Sequence, residues 1–392
     1  MEVISERPDE GLDLKTLRLS KTLGRGGFAI VYAGTLKGAN GAPVNVAVKV
    51  LHEHFSADGS EELRLFLEEA SLMLQMSHRN VITAYALLKL PPSFPGLSGY
   101  TQPAYALVLE VMEGGSLAGL MIKQLLAGSV SKYSFSQALG WCLDVARALQ
   151  YLHAGGRDGA PRIHRDVKLE NVLLTDGMRT AKLADFGLQR PRGVKGCGSG
   201  AMKGVGGELG MVGGSATARR TASVSGVGGR LSGTGKKKAA AEYEEVFSLT
   251  GRTGSMVYLA PEAYKNEPYN DKVDIYSLAI LMYELFGRTS VTYTHISTKL
   301  PAFSRMLINA DEFAERVAAG YRPPRPKMMN KLPPELWELI EAAWHQDPVR
   351  RPDIDEVVEQ LEAVAELMAE AEAEGGGKGG KAPGAGCGCV VS

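Results

Sequence analysis

The stretch HRDVKLEN, residues 164–171, decides how this chain is read. Eight residues hold His164, Arg165, Asp166, Lys168 and Asn171, a dense set of polar groups in one short loop. An apolar strand-like run, VLL, follows, and KLADFGL then supplies a second aspartate, Asp185. Further downstream Ala260, Pro261 and Glu262 read APE. Upstream, VAVK ends on Lys49, and GRGGFAIV covers residues 24–31. Glycines let backbone N–H groups come close to phosphates. A lone glycine loop is as often only a turn, and a lone strand lysine is usually just solvated. Five such motifs in one order are far more specific than any of them alone.

The surrounding pattern divides the chain in two. Residues 20–50 read as strands, with APVNVAVKVL alternating at period two. Val44, Val46, Val48 and Val50 fall on one face, and Asn45, Ala47, Lys49 and Leu51 on the other. Residues 61–77 carry helical spacing at Leu63, Phe66, Leu67, Ala70, Met73 and Leu74. Residues 90–103 form a Pro/Gly-rich loop, and 104–112 a strand closed by the turn EGGS. Helices dominate from there on. SFSQALGWCLDVARALQYLHAGG offers an N-cap at Ser134 or Ser136 and a glycine stop. NDKVDIYSLAILMYELFG is apolar enough for a buried central helix, and three further helical segments follow it. Strands first and helices second predict an α+β protein with two lobes.

On these motifs the chain resembles a eukaryotic protein kinase over residues 15–368. The resemblance implies a bilobal fold, with a β-rich N-lobe over about 15–112 and a mainly helical C-lobe over about 113–368. Residues 1–14 are then an N-terminal extension. ERVAAGYRPPRP and the later LIEAAWHQDPVRRPDIDEVVEQLE, with Trp344 before DPVRRP, are similar to the tyrosine-kinase-like group, kin of Raf-type and plant mixed-lineage-type kinases.

The implied cofactors are ATP and Mg²⁺. Phosphoryl transfer needs positioning and charge neutralisation more than covalent help. Asp166 would take the proton of the attacking hydroxyl, and Lys168 would neutralise the transferred phosphate, the serine/threonine pattern. Asn171 and Asp185 are hard oxygen ligands suited to Mg²⁺. Lys49 would hold the α/β-phosphates, fixed by Glu69, nine residues before His78. Glu68, the adjacent alternative, points about 100° away around the helix. Gly24, Arg25, Gly26, Gly27, Phe28, Ala29, Val31 and Ala47 would line the nucleotide, with Ala29 standing where a third glycine is usual. Leu109 matches the gatekeeper, and Glu110 and Met112 would offer backbone hydrogen bonds to adenine. Glu262 is expected to pair with Arg351, Asp274 to anchor the catalytic loop, and His164 and Phe186 to pack with Met73. Thr253 or Ser255 would contact Asp166 and substrate.

Two segments lack a folding pattern. Asp185 through Glu262 spans 78 residues, far more than the usual activation segment. Residues 191–240 hold 15 of the 47 glycines, and nine Lys/Arg against Glu208 alone. This reads as a flexible basic insert, tolerable because long loops cost little entropy. It is either unselected low-complexity expansion or a regulatory arm. Arg220 lies three residues before Ser223, while Ser248, Thr250 and Thr253 lie nearer APE; phosphorylation there would order the segment against Arg165.

The tail, 369–392, ends in Cys389-Val-Val-Ser, a C-a-a-X pattern whose serine favours farnesyl. One lipid anchors weakly, so a second signal is expected, and Cys387 is a palmitoylation candidate. The rival reading, a C-x-C metal site, lacks further ligands nearby. Balanced charge, 44 Lys/Arg against 44 Asp/Glu, gives no general attraction to nucleic acid. No secretory signal or run of about 18 apolar residues is present. The expected setting is cytoplasmic, peripheral on a membrane. Expected partners are protein substrates, the membrane surface, and upstream kinases or small-GTPase-type activators. Rival functions are a pseudokinase scaffold, against which Lys49, Asp166 and Asp185 all stand, and a dual-specificity kinase, against which Lys168 argues.

Overall fold

Strand residues 43–51 show why the first lobe folds. Both faces of this stretch are apolar, so it must lie inside a sheet covered on both sides. In the computed structural model Val46, Val48 and Val50 enter one core, with Leu14, Tyr32 and Leu88. Ala47 and Leu51 enter the other, with Phe66 and Met73. The structure describes residues 1–7, 10–57, 59–128, 130–186, 190–191, 255–294 and 310–376.

Strands β1 (Glu2–Glu6), β2 (Leu12–Arg25), β3 (Ala29–Gly38) and β4 (Pro43–Leu51) precede helix α1 (Glu61–Gln75). Strands β5 (Ala84–Leu90) and β6 (Ala104–Glu110) complete one antiparallel six-stranded sheet, in the order β1-β5-β6-β4-β3-β2. The register sets Val31 opposite Lys49 and Ala47 opposite both Ala33 and Leu109. Ser60 caps α1 by accepting the Leu63 N–H, and α1 lays Leu63, Phe66, Ala70, Met73 and Leu74 on the sheet.

Short β7 (Gly115–Ser116) leads into α2 (Leu117–Leu126) and α3 (Phe135–His153). Of the two candidate caps of α3 it is Ser134 that acts, in a capping box with Gln137. Then come β8 (Arg162–Ile163), β9 (Val172–Leu174), β10 (Ala181–Leu183) and β11 (Arg190–Pro191). The lobe is completed by α4 (Pro261–Tyr264), α5 (Lys272–Gly287), α6 (Val291–Thr294), α7 (Ala310–Ala318), α8 (Pro334–Ala343) and α9 (Ile354–Gly376). Helix α5 is buried from Val273 to Phe286, as its unbroken apolar character requires.

Two boundaries differ from the sequence reading. Glu2–Glu6 is no detached extension: it pairs with β5 and closes an edge that would otherwise expose unpaired backbone groups. The last helix runs past the expected domain end at 368 to Gly376, carried by strong helix formers, Ala and Glu, up to Glu374. No described helix is long and apolar enough to cross a membrane.

Candidate active site

The catalytic loop is held by one buried carboxylate. Asp274, on α5, accepts the backbone N–H groups of His164 at 2.8 Å and Arg165 at 2.7 Å, and the His153 Nε2–H at 2.8 Å. Burial alone would raise its pKa, but the hydrogen bonds from His153 and from the loop backbone hold it below the ordinary aspartate value. The grip matters because Arg165 sits at φ 71°, in the left-handed region that a non-glycine residue adopts only under constraint. His164 is fully buried and packs edge-on against Phe186, with ring centroids 5.0 Å apart, in the core cluster that includes Met73. Burial pushes the His164 imidazole down, so the ring is neutral. Its Nδ1 accepts the Asp166 N–H, and its Nε2–H donates to the Ala184 carbonyl.

From this anchor the polar groups run in a connected line. Asn171 donates its amide to the Asp166 carbonyl and to Asp166 Oδ2, both at 2.8 Å. Lys168 Nζ reaches the same Oδ2 at 2.7 Å. The Ala184 N–H donates to the Asn171 carbonyl at 2.8 Å, fixing Asp185 beside the loop. Asp185, half exposed and at φ 63°, lies 3.5 Å from Lys49 Nζ. Lys49 in turn donates to both carboxylate oxygens of Glu69, at 2.8 and 3.0 Å. Burial opposes the Lys49 charge, but Glu69 and Asp185 outweigh it and raise its pKa, so the ammonium stays charged. Glu68 faces outward and pairs with Arg64, as the helical angle requires.

The glycine loop closes the cleft from above. Gly26–Phe28 make the turn between β2 and β3, with the Gly26 N–H bonded to the Ala29 carbonyl. Ala29 already belongs to β3 and is buried, so its methyl replaces a third glycine without strain. Gly24 and Gly27 tell more. A Cβ on either would meet nothing within 4 Å, and neither has a positive φ. Nothing inside the protein demands glycine there, so the demand fits a ligand that approaches the backbone. Val31, Met112 and Leu173, half-buried, and Ala47 and Leu109, buried, give the cleft an apolar lining. Arg25 is exposed at the end of β2, and Phe28 stands out to solvent, 5.4 Å from the Phe55 ring.

At the hinge the Glu110 N–H is committed to the Thr83 carbonyl, and the Met112 carbonyl accepts from Gly115. The Glu110 carbonyl and the Met112 N–H remain the acceptor and donor expected to meet a planar base. Two neighbours escaped the sequence reading. Lys182 Nζ bonds both Glu110 carboxylate oxygens, at 2.6 and 2.9 Å, tying hinge to β10. His52 holds the glycine loop twice: its ring bonds the Gly26 carbonyl and its N–H donates to Phe28. His52 lies in no recognisable motif and Lys182 only opens KLADFGL, where nothing local names its partner; their roles arise from strands brought together in space.

Glu262 and Arg351 form a bidentate pair at 2.6 and 2.8 Å. Among the described residues no group of three or more His, Cys, Asp or Glu is arranged to hold a metal ion by itself. Asn171, through its amide oxygen, and Asp185 are hard donors that would hold Mg²⁺, whose charge would offset that of phosphate oxygens. Ser223, Ser248, Thr250, Thr253, Cys387 and Cys389 lie outside the described residues, as does the Ser255 side chain.

The family described as protein tyrosine and serine/threonine kinase matches residues 17–196 and 231–361. The chain belongs to that family. The kinase is similar to Seven transmembrane domain-containing tyrosine-protein kinase 1 of Dictyostelium discoideum, 26% identical over 348 residues, 88% of this chain and 38% of that protein. It also resembles Serine/threonine-protein kinase STY46 of Arabidopsis thaliana, 26% identical over 369 residues, 93% of this chain and 48% of that protein. Mitogen-activated protein kinase kinase kinase 7 of Homo sapiens is 24% identical over 349 residues, 89% of this chain and 42% of that protein. The kinase therefore spans less than half the length of these relatives.

Proposed function

We propose that this kinase transfers the γ-phosphoryl group of Mg-ATP to serine and threonine hydroxyls of proteins. The observation that carries the proposal is the pair of groups Glu69–Lys49–Asp185 and Asn171–Asp166–Lys168, joined through the Ala184 backbone N–H to the Asn171 carbonyl, with the loop anchored on Asp274. ATP supplies the phosphoryl group, and Mg²⁺ would neutralise its charge between Asn171 and Asp185. Asp166 accepts the substrate hydroxyl proton as the oxygen takes the phosphoryl group and ADP leaves. Lys168, on the same carboxylate oxygen, orients Asp166 and offsets the charge of the group in flight. Lys49, held by Glu69, keeps a fixed cation for the α/β-phosphates. Lys168 supports serine/threonine specificity over tyrosine or dual specificity. The intact Lys49, Asp166 and Asp185 favour catalysis over a scaffold role.

We also propose that farnesyl on Cys389, with palmitate on Cys387, holds the kinase on the cytoplasmic face of a membrane. Phosphorylation at Ser223, Ser248, Thr250 or Thr253, by an upstream kinase or downstream of a small GTPase, would regulate it. The test is phosphate transfer from Mg-ATP to a mixed protein substrate, with phosphoamino-acid analysis, beside Asp185→Ala. Label on Ser/Thr that disappears in the variant is expected; label on Tyr, or none from protein that still binds ATP, overturns the reading. For the anchor, intact mass and vesicle flotation of wild type and Cys389→Ser are compared. Equal flotation of the two sinks it.

A further inference from the structure

The end of α1 is capped by a residue from far away in the sequence. A helix leaves its last carbonyls without intrahelical partners, at the negative end of its dipole. Helix α1 has no basic residue in its own last turn. Arg7, just beyond β1, fills that place. Its Nη2 donates to the Met73 carbonyl at 3.1 Å and to the Met76 carbonyl, while its Nε donates to the Ala84 carbonyl on β5 at 2.9 Å. Its backbone N–H bonds the Tyr85 carbonyl at 2.8 Å. The Arg7 side chain is 9% exposed, with a Glu10 carboxylate oxygen 3.9 Å from its Nε. One planar fork thus bolts the C-terminal end of α1 to β5, and β1 holds the fork in place.

What α1 carries gives this cap a catalytic consequence. Glu69, which fixes Lys49, lies one turn before Met73, and Met73 packs in the core that also buries His164 and Phe186. We propose that Arg7 is a positioning residue for the Lys49–Glu69 pair, and that residues 1–7 form an in-chain clamp holding α1 in its engaged position. The inference rests on the kinase reading above. All five residues of β1 are exposed, and the strand is joined to the sheet through β5. The clamp can therefore come away without opening a core, unlike any other strand of this sheet. A lysine at position 7 restores the charge at the helix end but not the two-element fork.

The test uses the full chain as wild type, Arg7→Ala and Arg7→Lys. Steady-state phosphate transfer, amide hydrogen exchange over residues 66–76 and thermal unfolding are measured on each. Expected for Arg7→Ala is a kcat lower by about tenfold, with the peptide KM little changed. Exchange should rise at 66–76 and not in α5, and Arg7→Lys should recover part of both. Unchanged kcat and exchange in Arg7→Ala overturn the inference. So does loss of stability with exchange raised uniformly, because that is a merely structural role; if Arg7→Ala does not fold, full activity in Arg7→Lys overturns it as well. Should wild type transfer no phosphate, the kinase reading fails by itself. Exchange at 66–76 then decides the clamp alone.

Discussion

Replacing Glu262 by alanine should cost this kinase more stability than any surface substitution. The Arg351 side chain is wholly buried and that of Glu262 is 5% exposed. The pair is bidentate, and Arg351 also donates to the His345 and Lys272 carbonyls, with its guanidinium 5.2 Å from the Tyr276 ring centroid. Alanine removes two charge-assisted bonds at once and leaves Nη2 without its carboxylate in a dry core. Breaking one side of such a pair costs about 3–5 kcal/mol. For a domain of this size each kcal/mol lowers Tm by roughly 2–4 °C, so a fall of about 10 °C is expected. Equilibrium denaturation followed by tryptophan fluorescence reads it directly, since Trp141, Trp337 and Trp344 all lie in the helical lobe. Phosphate transfer should fall with it, because Glu262 opens α4 at the end of the activation segment. The double variant Glu262→Ala/Arg351→Met should recover most of the loss, since a charge no longer stands unpaired. A single-variant cost under about 1 kcal/mol, or a double variant as damaged as the sum of the singles, would refute the reasoning.

Glu69→Gln should leave Tm nearly unchanged and lower kcat by about tenfold or more, because Lys49 loses the charge that orients it; equal kcat by steady-state assay contradicts this. Gly27→Ala should raise the KM for ATP several-fold while thermal unfolding stays within about a degree, since its methyl meets no protein atom. His164 binds its proton less readily folded than unfolded, so the unfolded state takes up the extra proton as pH drops below about 6.5. Stability should accordingly decline from pH 7 to 5.5, by at most about 1.4 kcal/mol per pH unit for this group. His164→Phe should show a shallower decline in urea titrations at the two pH values; identical slopes would refute the assignment.

Much of the site was legible because its residues sit in short contiguous motifs. Asp166, Lys168 and Asn171 are neighbours in the chain, and period-two alternation alone set Lys49 and Ala47 on one face of a strand. The kinase resemblance pointed to Glu69, and the 3.6-residue period showed only that Glu68 must face elsewhere. Residue type also fixed the buried character of α5. Other features could not be read, because they depend on which strands and helices meet. Arg7 lies in the stretch expected to be an N-terminal extension; only the pairing of β1 with β5 carries it to the end of α1. His52 lies outside every motif and Lys182 merely opens KLADFGL; both acquire partners from the glycine loop and the hinge through sheet and loop geometry. The sequence by itself determined the chemistry, since short-range spacing fixes which groups share a loop or a face. The tertiary structure alone decided what holds those groups still, since hydrogen bonds between residues tens of positions apart have no local signature.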